Sequence, residues 1–310
     1  MIAEANFRHN DINSFLDELG EAQDKEKFFK EYVKSVRLND QKVNSVISLY
    51  SNQEILKEYY AGVEKEFHGV PILLKDNIDS IGIANTAGSL AFKNNLPKND
   101  APLVSKLRES GFIILGKANL SEWANFRGNP STSGWTSING QTNNPFNLKY
   151  NPCGSSSGSA AAIAQGLVPV SIGTETNGSI TCPASVNGVV GIKPTVGLVS
   201  RTGVIPISET QDTAGPMAKN VMDAAKVLKA IAGKDPLDST SIPPQGNTHY
   251  AEALQKKKGP WKLGVPREFF GHGIDPEVKA NIEKAIEWYR SQGCEIINIS
   301  LPHSDLAVPV

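Results

Sequence analysis

Two segments rich in serine, threonine and glycine bracket one apolar stretch near the middle of the chain. The first is C-G-S-S-S-G-S (Cys153–Ser159), and the second is T-E-T-N-G-S-I (Thr174–Ile180). The stretch between them, A-A-A-I-A-Q-G-L-V-P-V-S-I-G, predicts a short helix followed by a buried strand. Because the two segments lie at opposite ends of this helix–strand unit, they can meet in space. Serines on glycine-rich turns are typical of nucleophiles and oxyanion holes, so we expect a reactive site there.

The segments upstream predict more alternation of strands and helices. G-V-P-I-L-L-K-D-N, which begins at Gly69, is a nearly continuous apolar run of the kind found in strands buried on both faces. The helical pattern L-V-S-K-L-R-E-S then ends at Gly111, and F-I-I-L-G-K follows as a second candidate for a buried strand. This alternation predicts an α/β fold with a largely buried sheet.

Residues 10–66 are charged and carry apolar positions at helical spacing, which predicts helices docked on a core. These apolar positions include Phe15, Leu16, Phe28, Phe29, Tyr32, Val33, Val36, Val46, Ile47 and Leu49. Downstream, the patterns predict helices from Val221 to Ala232 and from Asp275 to Gln292, and strands at W-K-L-G-V-P and C-E-I-I-N-I-S-L-P. We therefore expect a helical segment at 1–66 packed on a core at 67–310, in effect one domain.

Composition limits the classes of partner and of site. The 310 residues carry 31 Lys and Arg against 32 Asp and Glu, so neither nucleic acid nor an anionic membrane surface is an expected partner. The first residues lack the apolar core of a secretory signal, and no uncharged run reaches membrane-spanning length. The three cysteines, Cys153, Cys182 and Cys294, lack C-x-x-C spacing. We expect small buried thiols in the reduced state, no zinc site and a cytoplasmic location.

The first segment also matches G-x-S-x-G, the nucleophile elbow of α/β-hydrolases, with Ser156 as its central serine. That elbow requires a strand immediately upstream, whereas N-P-F-N-L-K-Y-N-P-C predicts a loop. The histidines that follow, His249, His272 and His303, lie in polar or loop sequence. We therefore expect Ser156 to support the backbone rather than to attack a substrate. A phosphate-binding loop fits no better, since G-x-x-x-x-G-K-[ST] needs a lysine that is absent here.

A serine nucleophile without a histidine base can use a lysine, provided that the lysine is neutral. The free lysine pKa is about 10.4, and lowering it to near 7 takes roughly 4–5 kcal/mol of bias toward the neutral form. Lys75 after P-I-L-L is the best candidate for burial, Lys117 after I-I-L-G is second, and Lys193 after V-V-G-I is third. The alternative for each is a lysine at a strand end with its ammonium group in solvent.

Three ordered phrases, G-V-P-I-L-L-K-D-N, C-G-S-S-S-G-S-A-A-A and G-T-E-T-N-G-S-I-T-C-P-A, resemble the amidase signature family. The likeness runs from about Gly69 to Gly233, and it looks closest to the peptide-amidase-like branch rather than to the amidotransferase A subunits. The resemblance implies a central mixed β-sheet flanked by helices. It also implies hydrolysis of linear carboxamides, peptide C-terminal amides among them, without a metal or a cofactor.

The resemblance assigns roles to residues of both segments. Ser179 occupies the position of the nucleophile, Ser155 that of a bridging serine preceded by a cis peptide bond, and Lys75 that of the base in a Ser-cisSer-Lys triad. The implied oxyanion donors are the backbone N–H groups of Thr176, Asn177, Gly178 and Ser179. Two positions depart from the family pattern: Asn177 stands where the family carries Gly or Asp, and Thr181 where many members carry Arg.

The family fold continues beyond the length of this chain. The resemblance therefore implies that C-terminal strands and one wall of the substrate cavity are missing from these 310 residues. Two alternatives stay open: a truncated, inactive amidase-like protein, and an amidotransferase A-type subunit that hydrolyses glutamine and passes ammonia to a partner. For the leading interpretation, the expected partner is a small-molecule or peptide amide, and the oligomeric state is left open.

Overall fold

The computed structural model describes the chain as two compact units. One unit comprises the described residues up to Ala251, and the other comprises those from Glu252 onward. The division predicted after residue 66 stays a prediction. The described residues are 11–128, 131–244, 249–256, 259–271 and 273–304.

Helices and strands alternate along most of the described chain. The helices are α1 (Ile12–Glu21), α2 (Lys25–Asn39), α3 (Asn52–Ala61), α4 (Pro102–Glu109), α5 (Ser157–Gln165), α6 (Thr181–Val186), α7 (Val221–Ile231), α8 (Tyr250–Gln255) and α9 (Pro276–Ser291). The strands are β1 (Val46–Leu49), β2 (Pro71–Lys75), β3 (Ile113–Ala118), β4 (Trp135–Thr136), β5 (Gly140–Gln141), β6 (Val170–Glu175), β7 (Val190–Gly191), β8 (Thr213–Ala218), β9 (Lys262–Pro266) and β10 (Glu295–Ile299).

A six-stranded sheet in the order β1-β3-β2-β6-β8-β7 lies at the centre of the first unit. Strand β2 pairs in parallel with both β3 and β6, whereas β1, β8 and β7 join the sheet as antiparallel strands. Strands β2, β3, β6 and β8 are buried along their whole length. Helices α3, α4, α5 and α7 pack against them. The predicted fold class, a mixed sheet flanked by helices, is confirmed.

The carboxyl ends of β2 and β6 meet at one edge of the sheet, because these neighbouring strands run parallel. Lys75 is the last residue of β2 and Glu175 the last residue of β6. The predicted helix–strand unit between the two serine-rich segments is α5 followed by β6. At the start of α5, Gly158 donates its N–H to the Asn119 carbonyl over 3.0 Å, and a Cβ at this position would overlap with backbone oxygens. Glycine therefore lets α5 begin directly against the end of β3.

The structure differs from the sequence-based expectation at β1 and β8. Val46, Ile47 and Leu49 were expected on a helix, but V-I-S-L forms a half-buried edge strand paired with β3. Four residues rich in β-branched side chains favour a short strand over a helix. Strand β8, T-A-G-P-M-A, was not predicted, since a glycine and a proline inside a run argue against a central strand. Its small residues allow close packing, because a Cβ on Gly215 would overlap with the Ile192 carbonyl.

The second unit contains two parallel strands and a helix. Strand β9 pairs with β10 from Lys262↔Glu295 to Pro266↔Ile299, and α9 contacts β10. The Asp275 side chain caps α9 at its N-terminus by accepting backbone N–H groups, as the Asp-Pro pair predicts. These elements agree with the predicted strand–helix–strand order.

The sequence offered three histidines as elbow partners, and the structure describes two of them. His249 and His303 are exposed, and His272 lies outside the described residues, as does the chain end at Val310. A helix that crosses a bilayer needs about 20 predominantly apolar residues. Within the described ranges, every helix is too short or too polar to meet that requirement.

Candidate active site

Lys75 is fully buried at the end of β2, as predicted from the apolar run that precedes it. Its Nζ lies 2.6 Å from Ser155 Oγ, 2.8 Å from Thr174 Oγ1 and 3.1 Å from the Thr174 carbonyl oxygen. Desolvation lowers the Lys75 pKa from 10.5 to about 7, although the negative charges of Asp212 and Glu175 act in the opposite direction. A large fraction of Lys75 is therefore neutral near neutral pH, and a neutral amine can accept a proton.

Ser155 is fully buried in the loop before α5, with its hydroxyl beside Lys75. Its backbone N–H points to Ser179 Oγ over 3.4 Å. The expected cis peptide bond before Ser155 is absent, since the cis bond among the described residues is Gly259–Pro260. The chain turns instead through two successive residues in the left-handed region, Cys153 at φ 57° and Gly154 at φ 58°.

The Ser156 hydroxyl both donates a hydrogen bond to the backbone of β6 and accepts one from it. Its Oγ donates to the Thr174 carbonyl over 3.0 Å and accepts the Thr174 N–H over 3.1 Å. The side chain is fully buried. The expectation that Ser156 supports the backbone is confirmed, and the match to G-x-S-x-G does not mark a nucleophile here.

Ser179 lies on the turn between β6 and α6 and is partly exposed. The Ser156 N–H donates to the Ser179 carbonyl over 3.1 Å, so the two serine-rich segments do converge. Gly178 has φ 77°, a conformation that favours glycine, and the space beside its Cα is open. Among the described residues, none accepts a hydrogen bond from the backbone N–H of Thr176, Gly178 or Ser179. These N–H groups can therefore donate to an acceptor atom that approaches the turn.

Two carboxylates that sequence reasoning did not single out hold this turn. Glu175 is 5% exposed, and its Oε2 accepts the N–H groups of Ile180 and Thr181 over 2.7 and 2.8 Å. Asp212 accepts the Thr176 hydroxyl over 2.6 Å, so it holds the other end of the turn. A buried acidic residue next to the T-N-G-S-I phrase was a usable signal for Glu175. Asp212 lies 33 residues after Ser179 in a polar loop, and no local pattern marks it.

The two other lysine candidates do not reach the serines. Lys117 is fully buried, but its Nζ donates to the Ile78 carbonyl and lies 3.7 Å from a carboxylate oxygen of Asp76. Burial lowers the Lys117 pKa, and the negative charge of Asp76 opposes that change. Lys193 is exposed. Of the three candidates, Lys75 is the one that contacts Ser155.

Cys153 and Cys182 form a disulfide bond, with their Cα atoms 5.8 Å apart, so the expectation of reduced thiols is wrong for this pair. Both residues are only partly buried, whereas Cys294 is a buried free thiol. The pairing follows from the convergence of the two loops, which brings residues distant in sequence together. A structural disulfide is typical of oxidising compartments, so the cysteines no longer support a cytoplasmic location. In the part of the chain that the structure describes, no cluster of three or more His, Cys, Asp and Glu could hold a metal ion.

Comparison with known proteins adds to this geometry. The Amidase family profile matches residues 28–310. The glutamyl-tRNA(Gln) amidotransferase A subunit of Geobacter sulfurreducens is 43% identical over 279 residues, which cover 88% of this chain and 56% of that protein. The native peptide amidase of Stenotrophomonas maltophilia superimposes with a TM-score of 0.86 and 42% identity, over 97% of this chain and 64% of that one. The glutamyl-tRNA(Gln) amidotransferase A subunit of Thermotoga maritima has a TM-score of 0.78 and 32% identity, over 96% of this chain and 63% of that one.

These relatives are longer than the present chain, which spans about half the length of the curated proteins that it matches. The similarity nevertheless extends over almost the whole of this chain and includes the three phrases around Lys75, Ser155 and Ser179. The predicted resemblance is confirmed, and the chain belongs to the Amidase family.

Proposed function

We propose that this chain carries the reaction centre of a serine-type amide hydrolase. Ser179 is the nucleophile, Ser155 the bridging serine and Lys75 the base. The substrates are linear carboxamides, including peptide C-terminal amides. The observation that carries the proposal is the 2.6 Å contact between Lys75 Nζ and Ser155 Oγ at a fully buried lysine whose pKa is lowered to about 7. An exposed lysine, with its pKa near 10.4, would be almost entirely protonated at neutral pH and unable to act as a base.

In the first half-reaction, Ser179 Oγ attacks the amide carbonyl carbon. The Ser179 proton passes to Ser155 Oγ as the Ser155 proton passes to Lys75 Nζ, which becomes an ammonium group. The carbonyl oxygen gains negative charge and accepts hydrogen bonds from the backbone N–H groups of the turn, at Thr176, Asn177, Gly178 and Ser179. The carbon–nitrogen bond then breaks, and the leaving ammonia or amine takes a proton back along the same route.

In the second half-reaction, water attacks the ester formed on Ser179. Lys75 again accepts a proton through Ser155, and the same N–H groups bind the oxyanion. The carboxylic acid product leaves, and Ser179 regains its proton. Apart from the substrate and one water molecule, the proposed cycle uses only side chains and backbone groups of this chain.

One observation favours a second candidate, an amidotransferase A-type subunit that hydrolyses glutamine. The curated relative from Geobacter sulfurreducens carries the amidotransferase name and is as similar in sequence as the peptide amidase. The two candidates differ in substrate, since the amidotransferase component would release ammonia from free glutamine and would require a partner. A peptide amide hydrolysed faster than glutamine by the isolated chain supports the leading proposal. Faster glutamine hydrolysis that depends on added partner proteins supports the second.

A fluorophosphonate probe tests the proposed centre directly, because it reacts with an activated serine whatever the natural substrate is. We expect covalent labelling at Ser179 in the unmodified chain, and mass spectrometry of the labelled peptide identifies the site. Ser179→Ala should abolish labelling and Lys75→Met should slow it by at least about a hundredfold, while Ser156→Ala serves as the matched serine control. A folded chain that is not labelled supports the inactive alternative, and equal labelling of Ser179→Ala contradicts the assignment of the nucleophile.

A further inference from the structure

The site contains a buried carboxylate that the proposed mechanism does not use. Glu175 ends β6, one residue before the turn that carries Ser179. Its Oε2 accepts the N–H of Ile180 over 2.7 Å, the N–H of Thr181 over 2.8 Å and the Thr181 hydroxyl over 3.2 Å. These bonds connect the end of β6 to the two residues that follow Ser179. The backbone on both sides of Ser179 is therefore fixed by one oxygen atom.

The same carboxylate lies beside the strand that carries the base. Strands β2 and β6 are hydrogen-bonded neighbours, and both end at this edge of the sheet, with Lys75 and Glu175 as their last residues. The other negative charge that acts on Lys75 is Asp212, in the loop before β8. On the opposite neighbouring strand, β3, Lys117 is paired with Asp76. The charged groups acting on Lys75 are thus two carboxylates, and both oppose the loss of its proton.

We propose that Glu175 is a positioning residue that acts on the reaction in two separable ways, an inference that rests on the function proposed above. Its hydrogen bonds hold the turn so that the N–H groups around Ser179 face the substrate oxygen. Its negative charge stabilises the ammonium form of Lys75, which strengthens Lys75 as the base that receives the Ser179 proton through Ser155. The charge, like that of Asp212, thereby raises the pH at which the site becomes active.

The two actions can be separated because all three hydrogen bonds end on Oε2. Glutamine has a carbonyl oxygen of the same reach, so Glu175→Gln keeps three acceptor contacts and removes the charge. Glu175→Ala removes both the contacts and the charge. Comparison of the two variants with the unmodified chain assigns each effect to its cause.

The measurement is the rate of fluorophosphonate labelling at Ser179 as a function of pH, from about pH 5 to 9. Removing a nearby negative charge lowers the Lys75 pKa, so more of the lysine is neutral under acidic conditions. The acid limb is the part of the pH–rate profile in which the labelling rate rises with pH. We expect the acid limb of Glu175→Gln to lie at lower pH than that of the unmodified chain by about half to one pH unit. When the labelling rate at pH 5.5 is divided by the plateau rate of the same protein, the ratio for Glu175→Gln should be about three- to tenfold that for the unmodified chain. The plateau rate should change by less than about threefold in Glu175→Gln and fall by at least about tenfold in Glu175→Ala.

A second pair of variants tests the charge without altering Glu175. The Thr181 side chain is exposed, and its backbone N–H stays bonded to Glu175 whatever side chain it carries. Thr181→Lys places a positive charge beside the carboxylate, and Thr181→Gln is its neutral control of similar length. We expect the acid limb of Thr181→Lys to lie at lower pH than that of Thr181→Gln. If Glu175→Gln fails to fold, which its thermal unfolding curve reveals, this pair still shows whether a change of charge at the Glu175 carboxylate is felt by Lys75.

The outcomes distinguish this inference from the proposed function. If Ser179 is labelled and the acid limbs coincide within each pair, Glu175 does not set the active pH and the inference is overturned. If Ser179 is not labelled in the unmodified chain, or if Ser179→Ala is labelled equally, the proposed function fails and this inference falls with it. Shifted acid limbs in both pairs, together with labelling confined to Ser179, support both.

Discussion

Replacing Lys75 by methionine should destroy the reaction and, at neutral pH, stabilise the fold. Desolvation lowers the pKa of this lysine from 10.5 in the unfolded chain to about 7 in the folded chain. Between pH 7 and pH 10.5 the unfolded chain therefore binds a proton that the folded chain has released, so stability rises with pH across this window. The buried lysine costs about 4 kcal/mol at pH 7, where unfolding allows it to charge freely, but only about 2 kcal/mol at pH 9.

Methionine removes this cost at every pH, and it also removes the three hydrogen bonds that Lys75 makes with Ser155 and Thr174. Each lost bond at a buried acceptor costs about 1 kcal/mol. The expected net effect of Lys75→Met is therefore a gain of about 1 kcal/mol in the free energy of unfolding at pH 7. At pH 9 we expect Lys75→Met to lower the free energy of unfolding by about 1 kcal/mol, because the three lost hydrogen bonds then outweigh the smaller cost of the buried lysine. The sign of the effect should reverse between the two pH values.

Urea denaturation of both proteins at pH 7 and pH 9 measures this reversal. At each pH we compare the free energy of unfolding of Lys75→Met with that of the unmodified chain. The contributions of all other titrating groups cancel in this difference. Lys193→Met, at an exposed lysine, is the matched control and should show no reversal. A difference between the Lys75→Met and unmodified chains that stays constant between pH 7 and pH 9 would refute the reasoning, since the pKa of Lys75 would then be the same in the folded and unfolded chains.

Three further predictions follow from the same contacts. Labelling of the nucleophile should be half-maximal near pH 7 and about tenfold slower at pH 6 than at pH 8, because only neutral Lys75 is a base, and a pH-independent rate would contradict this. Cys153→Ser removes the bond to Cys182, which closes a separation of 29 residues, and should cost about 2–4 kcal/mol in urea denaturation, an effect that reduction of the unmodified chain with a dithiol should reproduce. Lys117→Met should lower the free energy of unfolding at pH 7 by about 3 kcal/mol, because it leaves the Asp76 carboxylate buried without its cation. This change has the opposite sign to that of Lys75→Met, and an unchanged free energy of unfolding would show that the Lys117–Asp76 pair is dispensable for stability.

Much of the site could be predicted from the sequence because its residues lie on local patterns. The run P-I-L-L is apolar at every position, which made Lys75 the best candidate for burial, and the structure buries it, whereas Lys193 after V-V-G-I is exposed. The serines of the two segments are separated by one helix and one strand, the shortest crossover that returns a chain to the same edge of a sheet. These are local signals, and the burial of Lys75 and the convergence of the loops follow from them.

Features that depend on residues distant in sequence were not predicted. Strand β8 has no strand-like composition, and it exists because β6 and β7 offer it partners on both sides. Asp212 lies in a loop without a distinctive sequence pattern, and only the fold brings it to the hydroxyl of Thr176. Its effect on Lys75 depends on that placement, which no pattern within the loop specifies.

The disulfide is different, because the information needed to predict it was present in the sequence. Once the loops around Ser155 and Ser179 are expected to meet, their flanking residues must meet as well. Cys153 lies two residues before the first serine and Cys182 three residues after the second, so the convergence of two hydroxyl groups implies the convergence of two thiols. The expectation of reduced thiols was wrong for this pair because it rested on the number and spacing of the cysteines. Pairing depends instead on which residues the fold brings together.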